Sequence, residues 1–319
     1  LDYFSFACMS FFVGIFQIHD VIIASTPQFF TTWSGWALSK IRRKPWIFEL
    51  RDLWPESIKT VGAMKQGRVI DLLEKIELGL YKSCNKVVAV TDAFKNNLIT
   101  RGIRKDKIEV ITNGSNMELF YPREADTHLL NSLDLKGKFV VGYIGTHGMA
   151  HSLDFIVRSI ARVSDPSIHF LFIGDGAMKR KIVKISKELQ LKNISFIEPV
   201  SKEEVPRYLS IIDISLAPLK KDDNFKTVIP SKIFESSAMQ KPTLLGVQGQ
   251  AQEILDKYGA GICFEPENEV DFIEKLSILR DVSFYQKCQD GCADLAADYD
   301  RKKLADKMLD VIDKIVKDQ

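Results

Sequence analysis

The stretch FVVGYIGTHG, residues 139–148, decides the fold that we expect for this chain. Its apolar, β-branched run ends at closely spaced glycines, which is typical of a buried strand that leads directly into a loop. Short runs of the same kind recur along the chain, with helical segments between them. Because strands that alternate with helices form parallel β-α-β units, the chain is predicted to be α/β, with helices on both faces of its sheets.

The predicted strands fall into two sets. The first set comprises residues 20–25, 46–50, 86–91 and 108–112. The second set comprises residues 139–145, 169–176, 194–199, 212–218, 242–247 and 261–266. A polar segment at 122–138 separates the two sets and is the candidate linker. The sequence therefore predicts two doubly wound sheets in tandem.

The domain boundaries follow from this pattern. We expect a first domain at residues 1–122 and a second at 123–298. The remaining stretch, 299–319, carries apolar residues at helical spacing: Leu304, Met308, Ile312 and Ile315. An isolated helix of this length is not stable, so it is expected to pack on a domain, and a return to the first domain is one option.

Composition narrows the classes of function. A chain of 319 residues exceeds what one hydrophobic core usually supports, and its net charge of +2 argues against a general nucleic-acid binder. The five cysteines are scattered without a C-x-x-C pair, which favours reduced thiols in a cytoplasmic protein. The five histidines lack the spacing of a metal site, and we expect neither a metal nor a cofactor.

The apolar run from Tyr3 to Ile18 is too short for a membrane span and has no basic region before it. It predicts a buried or membrane-facing helix in a domain whose first segment is missing. An aromatic and basic set follows it: Phe29, Phe30, Trp33, Trp36, Arg42, Arg43 and Lys44. These residues suit a surface that meets anionic lipid, and they equally suit core aromatics beside solvated charges.

The stretch IPSKIFESSAMQKP, residues 229–242, predicts a short helix with Ser231 as its N-cap and Lys232 in its first turn. A helix N-terminus favours an anion, and Lys232 adds a full positive charge. Glu235 follows one turn later and can accept hydrogen bonds from ribose or sugar hydroxyls. The alternative is an ordinary surface helix.

Two glycine turns stand at predicted strand ends, where ligands of open α/β sheets bind. The first contains Gly145, Thr146, His147 and Gly148, and the second contains Gly174 and Gly176. Glycines at these positions let a backbone approach a phosphate closely. Their spacing differs from the dinucleotide fingerprint, which disfavours a nicotinamide dehydrogenase. For His147, donation to a diphosphate or sugar hydroxyl and simple capping of the turn remain equal alternatives.

The loop RDLWPES follows the strand predicted at 46–50 and concentrates polar and aromatic residues. Arg51 and Asp52 either form a structural ion pair or act in an active site. In the second case Asp52 serves as a base or orienting group for an acceptor hydroxyl, and Arg51 binds an anion. Trp54 and Glu56 complete the expected acceptor side.

Four motifs in combination resemble one known family. VITNGSNMELFYP at 110–122, RDLWPES, GDG and PSKIFE resemble the retaining family 4 glycosyltransferases, and the resemblance covers essentially the whole chain. Within that family the chain looks like the fucosamine (N-acetylfucosamine) transferase-like branch of O-antigen, capsule and exopolysaccharide synthesis. The resemblance implies the GT-B fold, with two Rossmann-like domains facing a cleft and the usual first β-α unit absent before Leu1.

The resemblance also implies roles for individual residues. The second domain would bind a nucleotide sugar, usually UDP-linked, and the first would bind the acceptor. Glu235 matches the second glutamate of the family's E-x7-E motif, which holds the donor ribose, while the first glutamate position is occupied by Thr227. Asp223 or Asn224 could substitute for it. Lys232 becomes the expected diphosphate ligand, and Arg51-Asp52 falls where many relatives carry His-Asp.

The resulting expectation is a metal-independent, retaining glycosyltransferase. It would move a sugar, expected to be an N-acetylated deoxy-hexosamine, from a UDP-sugar to a lipid-linked saccharide at the cytoplasmic face of the inner membrane. Catalysis would rest on Lys232, Arg51 and Asp52. Two alternatives stay open, a UDP-sugar epimerase of the same fold and a non-catalytic scaffold that binds sugar nucleotides.

Overall fold

A computed structural model describes residues 2–26, 29–55 and 67–317 of the chain. The chain forms two compact units. The first unit comprises Leu1–Thr112 together with Leu304–Gln319, and the second comprises Asn113–Lys303. Each unit contains one parallel sheet, which confirms the predicted α/β class with two sheets.

The sheet of the first unit has the order β1-β2-β3-β4 and all its pairs are parallel. Its strands are β1 (Ile22–Ser25), β2 (Trp46–Leu50), β3 (Lys86–Ala89) and β4 (Ile108–Val110). Within the described ranges up to Thr112, its α-helices are α1 (Asp2–Ile15), α2 (Phe29–Arg42), α3 (Arg68–Ser83) and α4 (Asp92–Thr100). The strands are nearly continuous apolar runs because both faces of a parallel sheet are covered.

The sheet of the second unit has the order β10-β9-β8-β5-β6-β7. Its strands are β5 (Phe139–Ile144), β6 (Ile168–Ile173), β7 (Ile194–Ile197), β8 (Ile214–Pro218), β9 (Thr243–Gly246) and β10 (Gly261–Cys263). Because β5 pairs with both β6 and β8, the strand order reverses beside it. A doubly wound sheet opens a crevice beyond the strand ends at such a switch point.

The helices of the second unit cover both faces of this sheet. They are α5 (Thr127–Ser132), α6 (Leu153–Ile160), α7 (Lys179–Glu188), α8 (Val205–Ser210), α9 (Lys232–Ala238), α10 (Gln250–Tyr258), α11 (Glu269–Ile278) and α12 (Val282–Asp298). All five cysteines of the chain are unpaired.

The chain leaves the first unit after Thr112, whereas the sequence placed the boundary at Pro122. Phe120 is 1% exposed and packs into the core of the second unit. The segment predicted to be a linker, 122–138, contains α5 and buries Leu129 and Leu135 in the same core. The segment 122–138 is therefore polar in composition but is a packed part of the second unit.

The last helix, α13 (Arg301–Lys317), begins in the second unit and belongs to the first unit from Leu304 onward. Val311 and Ile315 form a buried cluster with Ile47 and Val88 of the first sheet. The apolar stripe of α13 thus covers strands β2 and β3.

Candidate functional site

A cavity of about 430 Å³ lies at the switch point of the second unit, where β5 ends, and Ser215 of the adjacent strand β8 also lines it. It is lined by Ile144, Gly145, Thr146, His151, Lys202, Val205, Leu209, Ser215, Pro230, Ser231, Lys232, Glu235 and Ser236. Its walls come from four different segments of the chain. The stretch PSKIFE and the turn after β5, separated by more than 80 positions in sequence, therefore meet at one site.

The most unusual group in this cavity is the ammonium of Lys232. Its Nζ is buried and has no hydrogen-bond partner among the residues that the structure describes. It lies 3.6 Å from the centre of the Tyr143 ring, which stabilises the cation only in part. Burial lowers the pKa of Lys232 to about 7, and the nearby charge of Glu235 partly opposes that shift. A ligand that brings negative charge would remove this cost of desolvation.

The Tyr143 ring, which contacts the ammonium of Lys232, is fixed by its surroundings. Tyr143 is completely buried, and its hydroxyl donates a hydrogen bond of 2.6 Å to the carbonyl of Thr146. Because this bond closes the turn after β5, it also fixes the backbone that forms one wall of the cavity. Tyr143 was not predicted as a site residue, because an aromatic residue inside a strand is usually part of the core.

The prediction that the Ser231 side chain caps α9 is wrong. Ser231 is the residue before the helix, but its φ and ψ of −59° and −25° are already helical and its side chain makes no capping hydrogen bond. An N-cap serine needs an extended backbone for its hydroxyl to reach back to the helix. Since α9 has only seven residues, the positive charge at this wall comes chiefly from Lys232.

Glu235 also lines the cavity, one helical turn beyond Lys232. Its carboxylate is 16% exposed and forms an ion pair with Lys202, which lies in the loop between β7 and α8. Lys202 was not predicted, because a lysine in a polar loop resembles any solvated charge. Only the folded chain brings it to Glu235.

The two glycine turns predicted to bind the donor play different parts. Gly145, with φ of +143°, and Thr146 line the cavity. Gly174 packs so closely on this turn that an added Cβ would lie 2.0 Å from the carbonyl oxygen of Gly145. At Gly176, an added Cβ would lie 2.6 Å from the carbonyl oxygen of His147. These two glycines shape the turn after β5 and are not among the residues that line the cavity.

The backbone and the ring of His147 have different surroundings. Its backbone N–H donates to the carbonyl of Asp175 at 2.8 Å, so it joins the two glycine turns. Its ring is fully buried, and within the described chain neither nitrogen has a partner. Burial lowers the pKa of His147 to about 4, which keeps the imidazole neutral. Gly148 does not line the cavity, whereas His151, three residues later, does.

The structure does not bring Thr227 to this cavity. Thr227 ends a short 3₁₀ helix, Asp223–Thr227, and its hydroxyl donates to the carbonyl of Asn224 at 3.0 Å. Asp223 and Asn224 line a different cavity of about 450 Å³ beside the ends of β8 and β9. Asp223 is engaged by Lys226 in an ion pair of 2.6 Å.

In the first unit, the backbone of the loop after β2 is fixed by one hydroxyl. The N–H groups of Arg51 and Asp52 donate to Oγ1 of Thr26, at 2.8 and 3.2 Å. The Arg51 side chain is exposed, and Asp52 is half-buried. Trp54 stacks on Phe29 with ring centres 4.2 Å apart. Glu56, the other residue predicted for the acceptor side, lies outside the described residues.

Helix α1 and the residue that follows it expose large apolar side chains: Tyr3, Phe4, Phe6, Met9, Phe12, Val13 and Phe16. Between α1 and α2 lies an apolar cavity of about 290 Å³, lined in part by Phe30 and Trp33. Phe29 is buried, whereas Trp36, Arg42 and Arg43 are exposed and Lys44 pairs with Asp20 at 3.2 Å. Within the described ranges, no helix combines the length and apolar character that crossing a membrane requires.

Two family models match the chain, one on each unit. Residues 13–119 match Glycosyltransferase Family 4, and residues 138–281 match Glycosyl transferases group 1. Each unit thus contains a segment that matches a glycosyltransferase family model. The match to group 1 contains the turn after β5, Lys232 and Glu235, so the cavity lies within the segment that matches this model.

Two similar proteins are themselves named as glycosyltransferases. TuaH of Bacillus subtilis, a glycosyltransferase whose name assigns it to teichuronic acid biosynthesis, is 26% identical over 232 residues, which are 71% of this chain and 56% of TuaH. WcaI of Escherichia coli, assigned by name to colanic acid biosynthesis, is 24% identical over 83% of this chain and 68% of WcaI. The chain thus spans between about half and two thirds of these relatives.

The fold of the chain has solved counterparts. The structure superposes on HepE of Anabaena, crystallised with UDP and glucose, with a TM-score of 0.78 at 16% identity. The match covers 97% of this chain and 82% of HepE. This confirms the GT-B type of fold with two parallel-sheet α/β domains.

Proposed function

We propose that this protein is a glycosyltransferase whose donor, a UDP-sugar, binds in the cavity at the switch point of the second unit. One observation carries the proposal. Lys232 holds a buried ammonium at a cavity wall without a hydrogen-bond partner among the described residues, and the cavity lies within the segment that matches the glycosyl transferases group 1 model. A diphosphate is the part of a nucleotide sugar that supplies the missing negative charge.

The same ammonium suits the chemistry of transfer. As the bond between sugar and diphosphate breaks, negative charge accumulates on the departing diphosphate. A fixed cation in a desolvated pocket stabilises that charge more in the transition state than in the ground state. Lys232 would supply this stabilisation without a metal, and we propose that the reaction is metal-independent and proceeds with retention at the sugar carbon.

Glu235 is the proposed ligand of the donor ribose. It follows Lys232 on the same helix, and residues three apart on a helix are neighbours about 5–6 Å apart. Diphosphate and ribose are adjacent parts of a nucleoside diphosphate, so the two side chains match that order. The family resemblance supports the same assignment. Solved HepE contains UDP and glucose, which favours uridine as the nucleoside.

The biological role that we propose is the synthesis of a bacterial surface polysaccharide. The names of TuaH and WcaI, which refer to teichuronic and colanic acid, support this role. From the resemblance to the fucosamine transferase-like branch, we propose an N-acetylated deoxy-hexosamine as the transferred sugar and a lipid-linked saccharide as the acceptor. Arg51, Asp52 and Trp54 are the proposed acceptor-side residues, with Arg51 and Asp52 close to the reacting hydroxyl.

A lipid-linked acceptor requires access to a membrane, and we propose that α1 and α2 provide it at the cytoplasmic face. Phe16 follows α1 and is 82% exposed, and Arg42 and Arg43 lie at the C-terminal end of α2, so two helices in contact carry apolar and cationic groups. Flotation of the full-length protein with vesicles containing anionic lipid tests this contact. We expect binding that weakens as salt rises, and absence of binding would contradict it.

Two other functions are less well supported. Both family models describe glycosyltransferases, which disfavours a UDP-sugar epimerase. A non-catalytic scaffold that binds sugar nucleotides would use the same ammonium, but both family models describe transferases, which favours catalysis.

One assay separates the three functions. Full-length protein is incubated with UDP-sugars, with and without a polyprenyl-diphosphate-linked saccharide. We expect release of UDP that depends on the acceptor. An isomerised donor would indicate the epimerase, and UDP binding without turnover would indicate the scaffold.

A further inference from the structure

Lys202 belongs to none of the motifs that point to a glycosyltransferase, yet it forms part of the donor cavity. It lies in the loop between β7 and α8. Ser201 fixes this loop by donating from its backbone N–H and its hydroxyl to the carboxylate of Glu204, both at 3.2 Å. The backbone that carries Lys202 is thereby held at the cavity.

The side chain of Lys202 has two partners. Its ammonium pairs with Oε1 of Glu235 and lies 4.8 Å from the ring centre of Phe120. Phe120 is itself 1% exposed, so its ring is fixed by the core. A cation placed between a fixed aromatic face and a carboxylate has less freedom than an ordinary surface lysine. Lys202 remains 48% exposed, so the strength of the ion pair is reduced by solvent.

The ion pair engages only one oxygen of Glu235. Among the described residues, no hydrogen bond to Oε2 of Glu235 is formed. A carboxylate held by one oxygen keeps the other oxygen in a defined position, where it can accept hydrogen bonds from a ligand. Without Lys202, Glu235 would have to give up side-chain freedom when the ligand binds, which lowers affinity.

We propose that Lys202 is a positioning residue for recognition of the donor ribose. It acts through Glu235, holding the carboxylate so that binding depends on the ribose hydroxyls. This inference rests on the proposed function, because it takes the nucleotide to bind in this cavity with its ribose at Glu235. It assigns to Lys202 a selectivity for ribonucleotides over deoxyribonucleotides.

The test compares UDP with 2′-deoxy-UDP by calorimetry on the full-length protein. The wild type is expected to bind UDP more tightly than 2′-deoxy-UDP. Lys202→Met should weaken UDP binding about five- to tenfold and bring the two affinities close together. Lys202→Arg, which keeps a cation for Glu235, should restore most of the difference.

A double-mutant cycle tests whether Lys202 works through Glu235. In the Glu235→Gln background, Lys202→Met should have almost no further effect on UDP affinity. Lys184→Met is the matched control, because it also removes an exposed lysine from an ion pair, with Glu188 on α7. This variant should bind UDP like the wild type.

Three results would overturn the assignment. Lys202→Met could bind UDP as tightly as the wild type or more tightly, it could weaken UDP and 2′-deoxy-UDP by the same factor, or its effect could persist in the Glu235→Gln background. Each of them leaves UDP binding by the wild type, and with it the donor site, intact. A wild type that binds no UDP would instead overturn the proposed function together with this inference.

Discussion

The loop after β2 in the first unit and the turn after β5 in the second both follow a buried parallel strand, but they present their charges differently. After β5, the chain encloses a cavity in which the ammonium of Lys232 is buried. After β2, Thr26 fixes the backbone while the Arg51 side chain is exposed. A buried, uncompensated charge indicates the chemistry of its ligand, whereas an exposed charge leaves the ligand open.

The largest effect is expected where the turn after β5 is most tightly packed. Gly174 has φ of +134°, and an added Cβ would lie 2.0 Å from the carbonyl oxygen of Gly145. Gly174→Ala should therefore lower the free energy of unfolding by about 3 kcal/mol or prevent folding. Urea denaturation measures the loss.

Gly79→Ala is the control for this prediction. Gly79 lies in α3, where an added Cβ meets nothing within 4 Å. Alanine there should raise stability by up to about 1 kcal/mol because it favours the helix. A Gly174→Ala protein as stable as the wild type would show that the two glycine turns are not locked together.

Removal of the buried ammonium should have the next largest effect. Lys232→Met is expected to weaken UDP binding by about 1.5 to 3 kcal/mol, as for hydrogen bonds to charged groups. Folding should be preserved, because the apolar side chain removes a desolvated cation. Lys220→Met, at the neighbouring cavity, should leave UDP affinity unchanged. Calorimetry that finds equal affinities for Lys232→Met and wild type would remove the diphosphate assignment.

The contrasting loop of the first unit can be tested through Thr26. Thr26→Val removes the acceptor of two backbone N–H groups, those of Arg51 and Asp52, while keeping the shape of the side chain. We expect a loss of about 1 to 2 kcal/mol in the free energy of unfolding. Thr26→Ser retains the hydroxyl and should recover part of that loss. If valine proves neutral in thermal unfolding, the loop is held by other contacts.

The smallest effect concerns pH. The pKa of Lys232 is lowered to about 7 by burial, so the free protein loses the ammonium as pH rises above 7. A bound diphosphate favours the charged form and raises this pKa, so binding takes up a proton. UDP affinity should therefore fall above pH 7 by at most about tenfold per pH unit, or 1.4 kcal/mol.

The pH dependence of binding has an internal control. Lys232→Met has no ammonium to titrate at this position, so its weaker UDP affinity should be nearly independent of pH between about 7 and 8.5. His147 and His151 stay neutral in this window because burial holds both pKa values at about 4. A wild type whose affinity is flat over the same range would contradict proton uptake at Lys232.

The sequence predicted the strands well, because parallel strands that are buried on both faces appear in the sequence as short apolar runs. It also predicted the helix of PSKIFE, with Lys232 in its first turn. It did not predict that Lys232 is buried over Tyr143, since the two are adjacent only after β5 and α9 come together. Lys202 was missed for the same reason.

Other predictions differed from the structure because tertiary packing overrode a local sequence preference. Ser231 has the residue type of an N-cap, but its backbone is already helical. The segment 122–138 is polar enough for a linker, yet Leu129 and Leu135 anchor it in a core. Gly174 and Gly176 follow a strand as phosphate-binding glycines do, but the space that they leave is filled by the neighbouring turn.

The path of α13 means that the first unit is not encoded by one continuous stretch of sequence. Its sheet is completed by a helix that the chain supplies only after the whole second unit has been made. Transplanting the second unit would therefore need two junctions, one after Thr112 and one before Leu304, and a chain ended at Lys303 would leave Ile47 and Val88 without their contacts to Val311 and Ile315. During synthesis, the cluster that Ile47 and Val88 form with Val311 and Ile315 can assemble only after the second unit has been made.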